Sequence, residues 1–238
     1  MKSKKRNLFI AQVLLLVLIV NLILSWMPGT QVKVSAEDTS NVETIIIEDE
    51  DFCSKLKNVL TNNSNSGALV SFNEKNMTIN YDKILYLDIL SKINMTEDNA
   101  AILEKLIQKS SNLTRLALKN IDLSEFDFSS LSNKNTLTSL YLMSCHLDSV
   151  PKITLPNLEV MYLTNNNFLE EGACANLNNS NFPKLKNLYL DWCFISDISF
   201  FENMGTNLTV LSLARNKLTD ASIDSFKQSE ESEFGNRG

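Results

Sequence analysis

The spacing of leucines in the second half of this 238-residue chain constrains its fold more than any other feature. Apolar side chains and one small polar side chain recur in the order Leu-x-x-Leu-x-Leu-x-x-(Asn/Cys)-x-Leu, with isoleucine, methionine or phenylalanine replacing some of the leucines. Chance agreement at five positions in four successive segments is very improbable, so the pattern indicates structural repeats. An earlier, incomplete copy begins at Leu113 and has Ile121 at the Asn/Cys position. The complete copies are Leu137, Leu140, Leu142, Cys145, Leu147; Leu158, Met161, Leu163, Asn166, Phe168; Leu185, Leu188, Leu190, Cys193, Ile195; and Leu208, Leu211, Leu213, Asn216, Leu218.

A repeat of this length and pattern is the signature of a leucine-rich repeat solenoid. The middle leucines of each copy are two residues apart, so their side chains share one face of a short strand. A single repeat cannot bury its leucines alone, whereas stacked repeats build one continuous core. The sequence therefore predicts an α/β fold with a curved parallel sheet on its concave face and short helices or 3₁₀ turns on its convex face. The first leucines are 24, 21, 27 and 23 residues apart, so the return segments vary and the longest is predicted between Asn166 and Leu185.

The Asn/Cys position of each repeat lies where the chain leaves the strand. A buried asparagine there can satisfy backbone groups that would otherwise be costly to bury, and cysteine is small enough to be tolerated. Cys145 and Cys193 occupy this position two repeats apart, about 10 Å at the spacing of parallel strands. A disulfide tolerates roughly 7 Å between Cα atoms, so both are predicted to be buried thiols. No pairing is predicted for Cys53 and Cys174.

Residues 1–36 read as an export signal. Four bases at positions 2–6 precede an apolar stretch from Leu8 to Met27, and the small residues 34–36 offer a cleavage site before Glu37. The alternative is an uncleaved membrane anchor, because the apolar stretch is about long enough to span a bilayer. The expected location is therefore secreted or cell-surface.

The remaining chain divides into four further segments. Residues 37–48 are predicted to be an acidic tether, and residues 49–83 an N-terminal cap with an amphipathic helix. The repeats occupy residues 84–228, beginning with a degenerate copy at Ile84, Leu87 and Ile89, whose return helix Thr96 can cap. Residues 229–238 are predicted to be a disordered polar tail. The edge of the last strand is either covered by a helix at 221–227 or belongs to a truncated form of a longer protein.

Composition and motifs argue against several classes of function. Residues 1–36 contain five bases and no acid, so the rest has 17 bases against 28 acids, a net charge of −11. This balance argues against nucleic acid as a partner. The single histidine, His146, is predicted to be solvated in a turn. Because no catalytic constellation, phosphate loop, zinc spacing or calcium loop is present, the sequence predicts neither an enzyme nor a cofactor or metal site.

The predicted concave surface is the candidate binding site. Its central column consists of Ala117, Tyr141, Tyr162, Tyr189 and Ser212, so three tyrosines on neighbouring strands form a ladder about 10 Å long. Tyrosine and tryptophan are frequent interface anchors, although aromatic side chains also simply favour exposed strand positions. The candidate ligand-binding residues are Tyr141, Tyr162, Tyr189, Trp192, Asp191, Lys119, Arg215 and Met143.

The export signal, the Asp51-Phe52 start of a cap helix and the repeats from about 84 to 218 resemble secreted bacterial leucine-rich repeat proteins of the internalin-like type. Turn sequences at 195–198 and 218–220 share this resemblance. It implies a curved solenoid with a helical N-terminal cap that binds a protein, often a host surface protein. The spacing here is less regular than the internalin repeat, and the sequence shows no C-terminal cap or wall anchor. The alternative function is a structural spacer or targeting module of a larger surface protein or enzyme.

Overall fold

The repeats form a six-stranded parallel sheet in which strands consecutive in the chain are neighbours. The structure is a computed structural model that describes residues 41–132, 134–220 and 222. The predicted leucine-rich repeat solenoid is confirmed, including the degenerate first repeat. Its strands are β4 (Tyr86–Ile89), β5 (Arg115–Lys119), β6 (Ser139–Met143), β7 (Val160–Tyr162), β8 (Asn187–Tyr189) and β9 (Val210–Ser212).

Each strand contributes one side chain to a continuous inner row of the core. The pairing register aligns this row across all six strands without a shift. The members on β4 to β8 are buried, whereas the one on β9 is partly exposed. Within the described residues, β9 pairs with β8 alone, so its outer side has no covering strand. The row consists of Leu87, Leu116, Leu140, Met161, Leu188 and Leu211.

Two asparagines after the strands, buried Asn166 and partly buried Asn216, each connect their repeat to the one before it. Asn166 is 3% exposed, and its side-chain oxygen and nitrogen together make four hydrogen bonds to backbone groups. Asn216, two repeats later, makes the equivalent four bonds. This geometry confirms that the asparagine satisfies backbone groups that solvent cannot reach. The side-chain oxygen of Asn166 accepts from the N–H groups of Cys145 and Leu147, and its side-chain nitrogen donates to the carbonyls of Leu142 and Leu163.

Cysteine takes this position in the alternate repeats and makes a smaller set of contacts. The Cys145 thiol donates to the carbonyl of Leu118 at 3.4 Å, and the Cys193 thiol donates to that of Leu163 at 3.1 Å. Burial raises the pKa of the Cys145 and Cys174 thiols to about 12 and that of Cys193 to about 11. All four cysteines of the chain are buried and free, as predicted for Cys145 and Cys193.

We expect these thiols to be unreactive in the folded chain. A thiolate is the nucleophile in disulfide exchange, and burial holds the pKa of three thiols above the working range of thiol reagents. An aromatic disulfide reagent at pH 8 should therefore label almost none of the four cysteines in the native chain and all four in denaturant. Stoichiometric labelling of Cys145 or Cys193 without denaturant would contradict the buried repeat position.

The N-terminal cap combines helices with a three-stranded antiparallel sheet. Helix α1 (Glu50–Leu60) is capped at its N-terminus by Asp49, whose side chain accepts from the Phe52 N–H at 2.9 Å. A third strand, β1 (Val42–Ile46), joins the hairpin of β2 (Leu69–Asn73) and β3 (Asn76–Asn80). The order of the strands in this sheet is β1-β3-β2.

Strand β1 corrects the predicted tether at residues 37–48. Residues 42–46 pair antiparallel with 76–80 and place Ile45 in the core, so the cap begins before residue 49. Glu43 on this strand forms ion pairs of 2.5 and 2.6 Å with Lys105 and Lys109, whose hydrogen bonds lower the pKa of its carboxyl group. These lysines lie on helix α2 (Glu97–Lys109), the predicted return helix of the first repeat, which Thr96 caps through the Asn99 N–H.

A fully buried asparagine joins the cap to the repeat sheet. Asn65 lies in a short 3₁₀ turn within the predicted cap segment 49–83. Its side-chain oxygen accepts from the N–H groups of Leu85 and Tyr86, and its nitrogen donates to the carbonyls of Val59 and Tyr86. This side chain therefore satisfies the hydrogen-bonding groups of the backbone at the start of β4, on the sheet edge opposite β9.

The return segments vary in length, as predicted, but only some of them contain a helix. 3₁₀ helices occur at Phe128–Leu131 and Ser199–Asn203, whereas the longest return, between Asn166 and Leu185, consists of turns and bends. In the part of the chain that the structure describes, no helix has the length and apolar character needed to span a bilayer. The predicted signal at 1–36, the helix at 221–227 apart from residue 222, and the tail at 229–238 lie outside the described residues.

Candidate functional site

Three tyrosines form a stacked row at the centre of the sheet's outward face. The register places Ala117, Tyr141, Tyr162, Tyr189 and Ser212 side by side on five consecutive strands. The centroids of the Tyr141 and Tyr162 rings are 4.8 Å apart with an interplanar angle of 15°. Those of Tyr162 and Tyr189 are 3.9 Å apart with an angle of 8°. The structure thus brings together the three tyrosines that the sequence placed in one column.

Stacking determines which part of each ring is open to a ligand. Both faces of the Tyr162 ring are covered by its neighbours, so the row presents ring edges and hydroxyl groups. Hydrogen bonding to Tyr189 and burial raise the pKa of Tyr162 to about 12, so its hydroxyl stays protonated at neutral pH and can donate. A row of ring edges flanked by hydroxyls suits a partner with both apolar surface and hydrogen-bonding groups.

The next column of candidate residues flanks the tyrosine row. Lys119 and Met143 are paired in register on β5 and β6. Asp191 follows β8, and one of its oxygens accepts from the Ser212 hydroxyl at 2.5 Å and from the Ala214 N–H at 2.8 Å. These bonds fix the Asp191 carboxylate in place beside the open end of the stack, next to Ser212.

The strand exits form a third column in which every residue has left-handed backbone geometry. Asn120, Ser144, Asn165, Trp192 and Arg215 have φ between 56° and 62°. The backbone N–H of each of the first four donates to a carbonyl of the next repeat, which holds the turn in this shape. Asparagine tolerates this region, whereas a bulky side chain costs about 1–2 kcal/mol there. Trp192 is thus a large aromatic side chain at a position that favours a small polar one.

Two exposed aromatic side chains near the strand exits each lie beneath a cation from the following repeat. The Arg215 guanidinium is 5.4 Å from the centroid of the Trp192 ring, and the Lys217 ammonium is 5.2 Å from that of Phe194. Trp192 is 55% exposed and Phe194 is 47% exposed. Phe194 and Lys217 were absent from the sequence-based site, because the repeat pattern marks spacing along a strand and not contacts between turns.

The sequence also missed a charged cluster at the N-terminal end of this face. Arg115 forms a bidentate ion pair with Asp88, and its guanidinium lies 4.3 Å from the centroid of the Tyr86 ring. The hydrogen bonds that Arg115 donates to Asp88 raise the pKa of Arg115. The signal was present in the sequence, since all three residues occupy outward positions of their repeats, but only the register shows that they meet.

Across residues 41–132, 134–220 and 222, no group of three or more His, Cys, Asp or Glu side chains is placed to hold a metal ion. The side chain of His146 is 72% exposed, as predicted for a solvated turn, and its Nδ1 lies 3.4 Å from a carboxylate oxygen of Asp122.

These observations define the class: the chain is a leucine-rich repeat protein with an aromatic row on its open sheet face. No protein-family model matches the sequence, and no curated protein matches it. Among solved structures, the chain is similar to the internalin InlF of Listeria monocytogenes, with 18% identity over 74% of this chain and 65% of that one, at a TM-score of 0.37. It is also similar to internalin C2 of the same species, with 20% identity over 72% of this chain and 90% of that one, at a TM-score of 0.36. The chain therefore spans less than two thirds of the InlF structure.

Proposed function

We propose that this chain is an exported, non-enzymatic recognition protein that binds a protein ligand on the open face of its repeat sheet. Tyr141, Tyr162 and Tyr189 would provide the central contact area. Trp192 and Met143 would add apolar contacts, while Asp191, Lys119 and Arg215 would select polar groups of the ligand. The stacked tyrosine row is the observation that carries this proposal, and the proposed export rests on the sequence of residues 1–36.

The tyrosine row has the properties of an interface anchor. Its side chains are held in place by stacking, so binding would cost little of the side-chain entropy that a flexible surface residue loses. Each ring combines apolar area with a hydroxyl group at one end, which is why tyrosine is enriched at protein interfaces. The leucines opposite supply the core, so the solenoid does not need these three outward aromatic residues to bury its apolar side chains.

Replacing all three tyrosines with alanine is expected to abolish ligand binding while leaving the fold intact. The three tyrosines lie on the opposite face of their strands from the buried leucines, so thermal unfolding should change little. The measurement is a pull-down of surface proteins from bacterial and host cells with residues 37–238, followed by affinity measurement on each recovered ligand. A triple tyrosine-to-phenylalanine variant keeps the stack and tests the hydroxyl groups alone.

A matched control keeps this experiment specific to the sheet face. Lys152, Glu171 and Glu202 are exposed residues outside the strands, and their triple alanine variant should bind as the parent chain does. A ligand retained equally by the tyrosine variant and the parent would overturn the proposed site. It would favour the second candidate, a structural spacer.

The structural spacer has one observation in its favour. Within the described residues the outer side of β9 is uncovered, and the nearby leucines 208, 211 and 213 are only partly buried. A further repeat or another domain could pack there, in which case the solenoid would separate or position other parts of an assembly. Absence of any sheet-face ligand, together with stabilisation by added C-terminal sequence, would be its expected result.

A further inference from the structure

Trp192, Phe194, Arg215 and Lys217 form a cationic–aromatic patch at the strand exits of the last two repeats. The two aromatic side chains are about half exposed, and each lies under a positive charge from the following repeat. Large exposed aromatic side chains grouped together commonly mark a contact surface. We refer to these four residues as the exit patch.

The positive charges of the exit patch lack ionic partners in the described part of the chain. Neither Arg215 nor Lys217 forms an ion pair there, although seven other ion pairs are present among the described residues. Both cations instead contact aromatic rings, which leaves their remaining N–H donors available. An occupant of the patch should therefore be anionic and should carry an apolar or aromatic side chain.

The chain itself contains a segment with this chemistry. Residues 230–233 are Glu-Glu-Ser-Glu, and Phe234 follows directly, so three carboxylates and one aromatic ring lie within five residues. This segment begins 13 residues after Lys217. An extended chain of that length spans up to about 40 Å, far more than the distance between neighbouring strands of roughly 5 Å.

We propose that residues 230–234 dock on the exit patch, with their carboxylates on Arg215 and Lys217 and Phe234 beside Trp192 and Phe194. Exposed ion pairs are individually weak, but a short covalent connection gives the segment an effective concentration in the millimolar range. Weak contacts are therefore sufficient to keep the patch occupied at low salt. The docking goes beyond the proposed function and does not depend on it. Only a competition between the segment and a sheet-face ligand for Trp192 would depend on the proposed function.

The intrinsic fluorescence of Trp192 tests the docking directly. The chain has two tryptophans, Trp26 and Trp192, so residues 37–238 contain Trp192 alone. The described residues from 41 onward form one compact unit, which this chain contains in full. Acrylamide quenching would be compared between the parent and a tail variant, Glu230→Gln/Glu231→Gln/Glu233→Gln/Phe234→Ala, at low salt and in concentrated salt.

The tail variant should be quenched more strongly than the parent at low salt, by about 1.5-fold or more, because its tryptophan is no longer covered by a tethered segment. Concentrated salt should remove most of the difference through screening. The same tail substitutions should have no effect in an Arg215→Gln/Lys217→Gln background, because the interacting partners are already lost. They should keep their full effect in a control background, Lys83→Gln/Lys152→Gln, in which both lysines are exposed and remote in sequence from the patch.

Two results would overturn the docking. Equal quenching of the parent and the tail variant at low salt would show that the segment does not cover Trp192. The tail substitutions could also have an equal effect in the Arg215→Gln/Lys217→Gln background and in the Lys83→Gln/Lys152→Gln background. That result would show that the segment acts somewhere other than on Arg215 and Lys217. Neither result would bear on the tyrosine-row experiment, so the failures of the two proposals are distinguishable.

Discussion

Replacing Asn166 with alanine is expected to lower the free energy of unfolding by about 3–5 kcal/mol, because several buried backbone groups lose their partners at once. The Asn166 oxygen accepts from the N–H groups of Cys145 and Leu147, each at 3.1 Å. Its nitrogen donates to the carbonyls of Leu142 and Leu163 at 2.8 and 2.7 Å. Alanine offers none of these bonds, and the site is closed to bulk water. Urea unfolding followed by circular dichroism measures the loss.

The neighbouring Asn167 provides a control for the Asn166 variant. Its side chain is exposed, so Asn167→Ala should change the free energy of unfolding by less than about 0.5 kcal/mol. Asn166→Cys should fall between the two, because cysteine occupies the same position in the adjoining repeats and donates to a carbonyl of the preceding one. A loss below about 1 kcal/mol for Asn166→Ala would contradict the role assigned to these bonds.

Removing the Asn65 side chain is expected to cost about 2–4 kcal/mol and to open the first strand of the sheet. The Asn65 amide makes four hydrogen bonds, of which three involve the backbone of Leu85 and Tyr86 at the start of β4. Within the described residues, β4 pairs with β5 alone, so the asparagine substitutes for a neighbouring strand at this sheet edge. Hydrogen exchange of the Leu85 and Tyr86 amides should become faster in Asn65→Ala.

The Asn65 experiment has its own reference variant. Asn63 lies two residues earlier in the same 3₁₀ turn but is exposed, so Asn63→Ala should leave both stability and exchange nearly unchanged. Unaltered protection of Leu85 and Tyr86 in Asn65→Ala would mean that other groups of the cap hold the edge, and the assigned role would be wrong.

The repeat sheet could be predicted from sequence because its signal is local and periodic. One five-position pattern determines where each strand begins, which side chains enter the core and which positions align between strands. The tyrosine row followed from the same register, since Tyr141, Tyr162 and Tyr189 share one position of the pattern. Helix α2 was also predictable, because Thr96 precedes a run of apolar residues at helical spacing.

Other features depended on contacts that no local pattern encodes. Strand β1 pairs with residues at least 30 positions away, and a short acidic sequence before a helix resembles a tether as much as a strand. Asn65 lies in an asparagine-rich polar segment, where composition alone cannot distinguish one buried amide from its exposed neighbours. The rings of Trp192 and Phe194 meet Arg215 and Lys217 across a full repeat, so the exit patch appears only once the turns are stacked.

The side-chain amides of buried Asn166 and partly buried Asn216 share a direction, because each reaches from its own repeat toward the one before it. The stack is therefore polar, in the sense that a repeat's exit turn is secured by its successor. Asn65 satisfies backbone groups at the N-terminal edge of the sheet. Within the described residues, no side chain from a following repeat makes the equivalent bonds to the turn after β9. Unfolding by force or heat should thus proceed from the repeat of β9 toward the first repeat. A partner that binds beside β9 would therefore stabilise the whole stack of repeats.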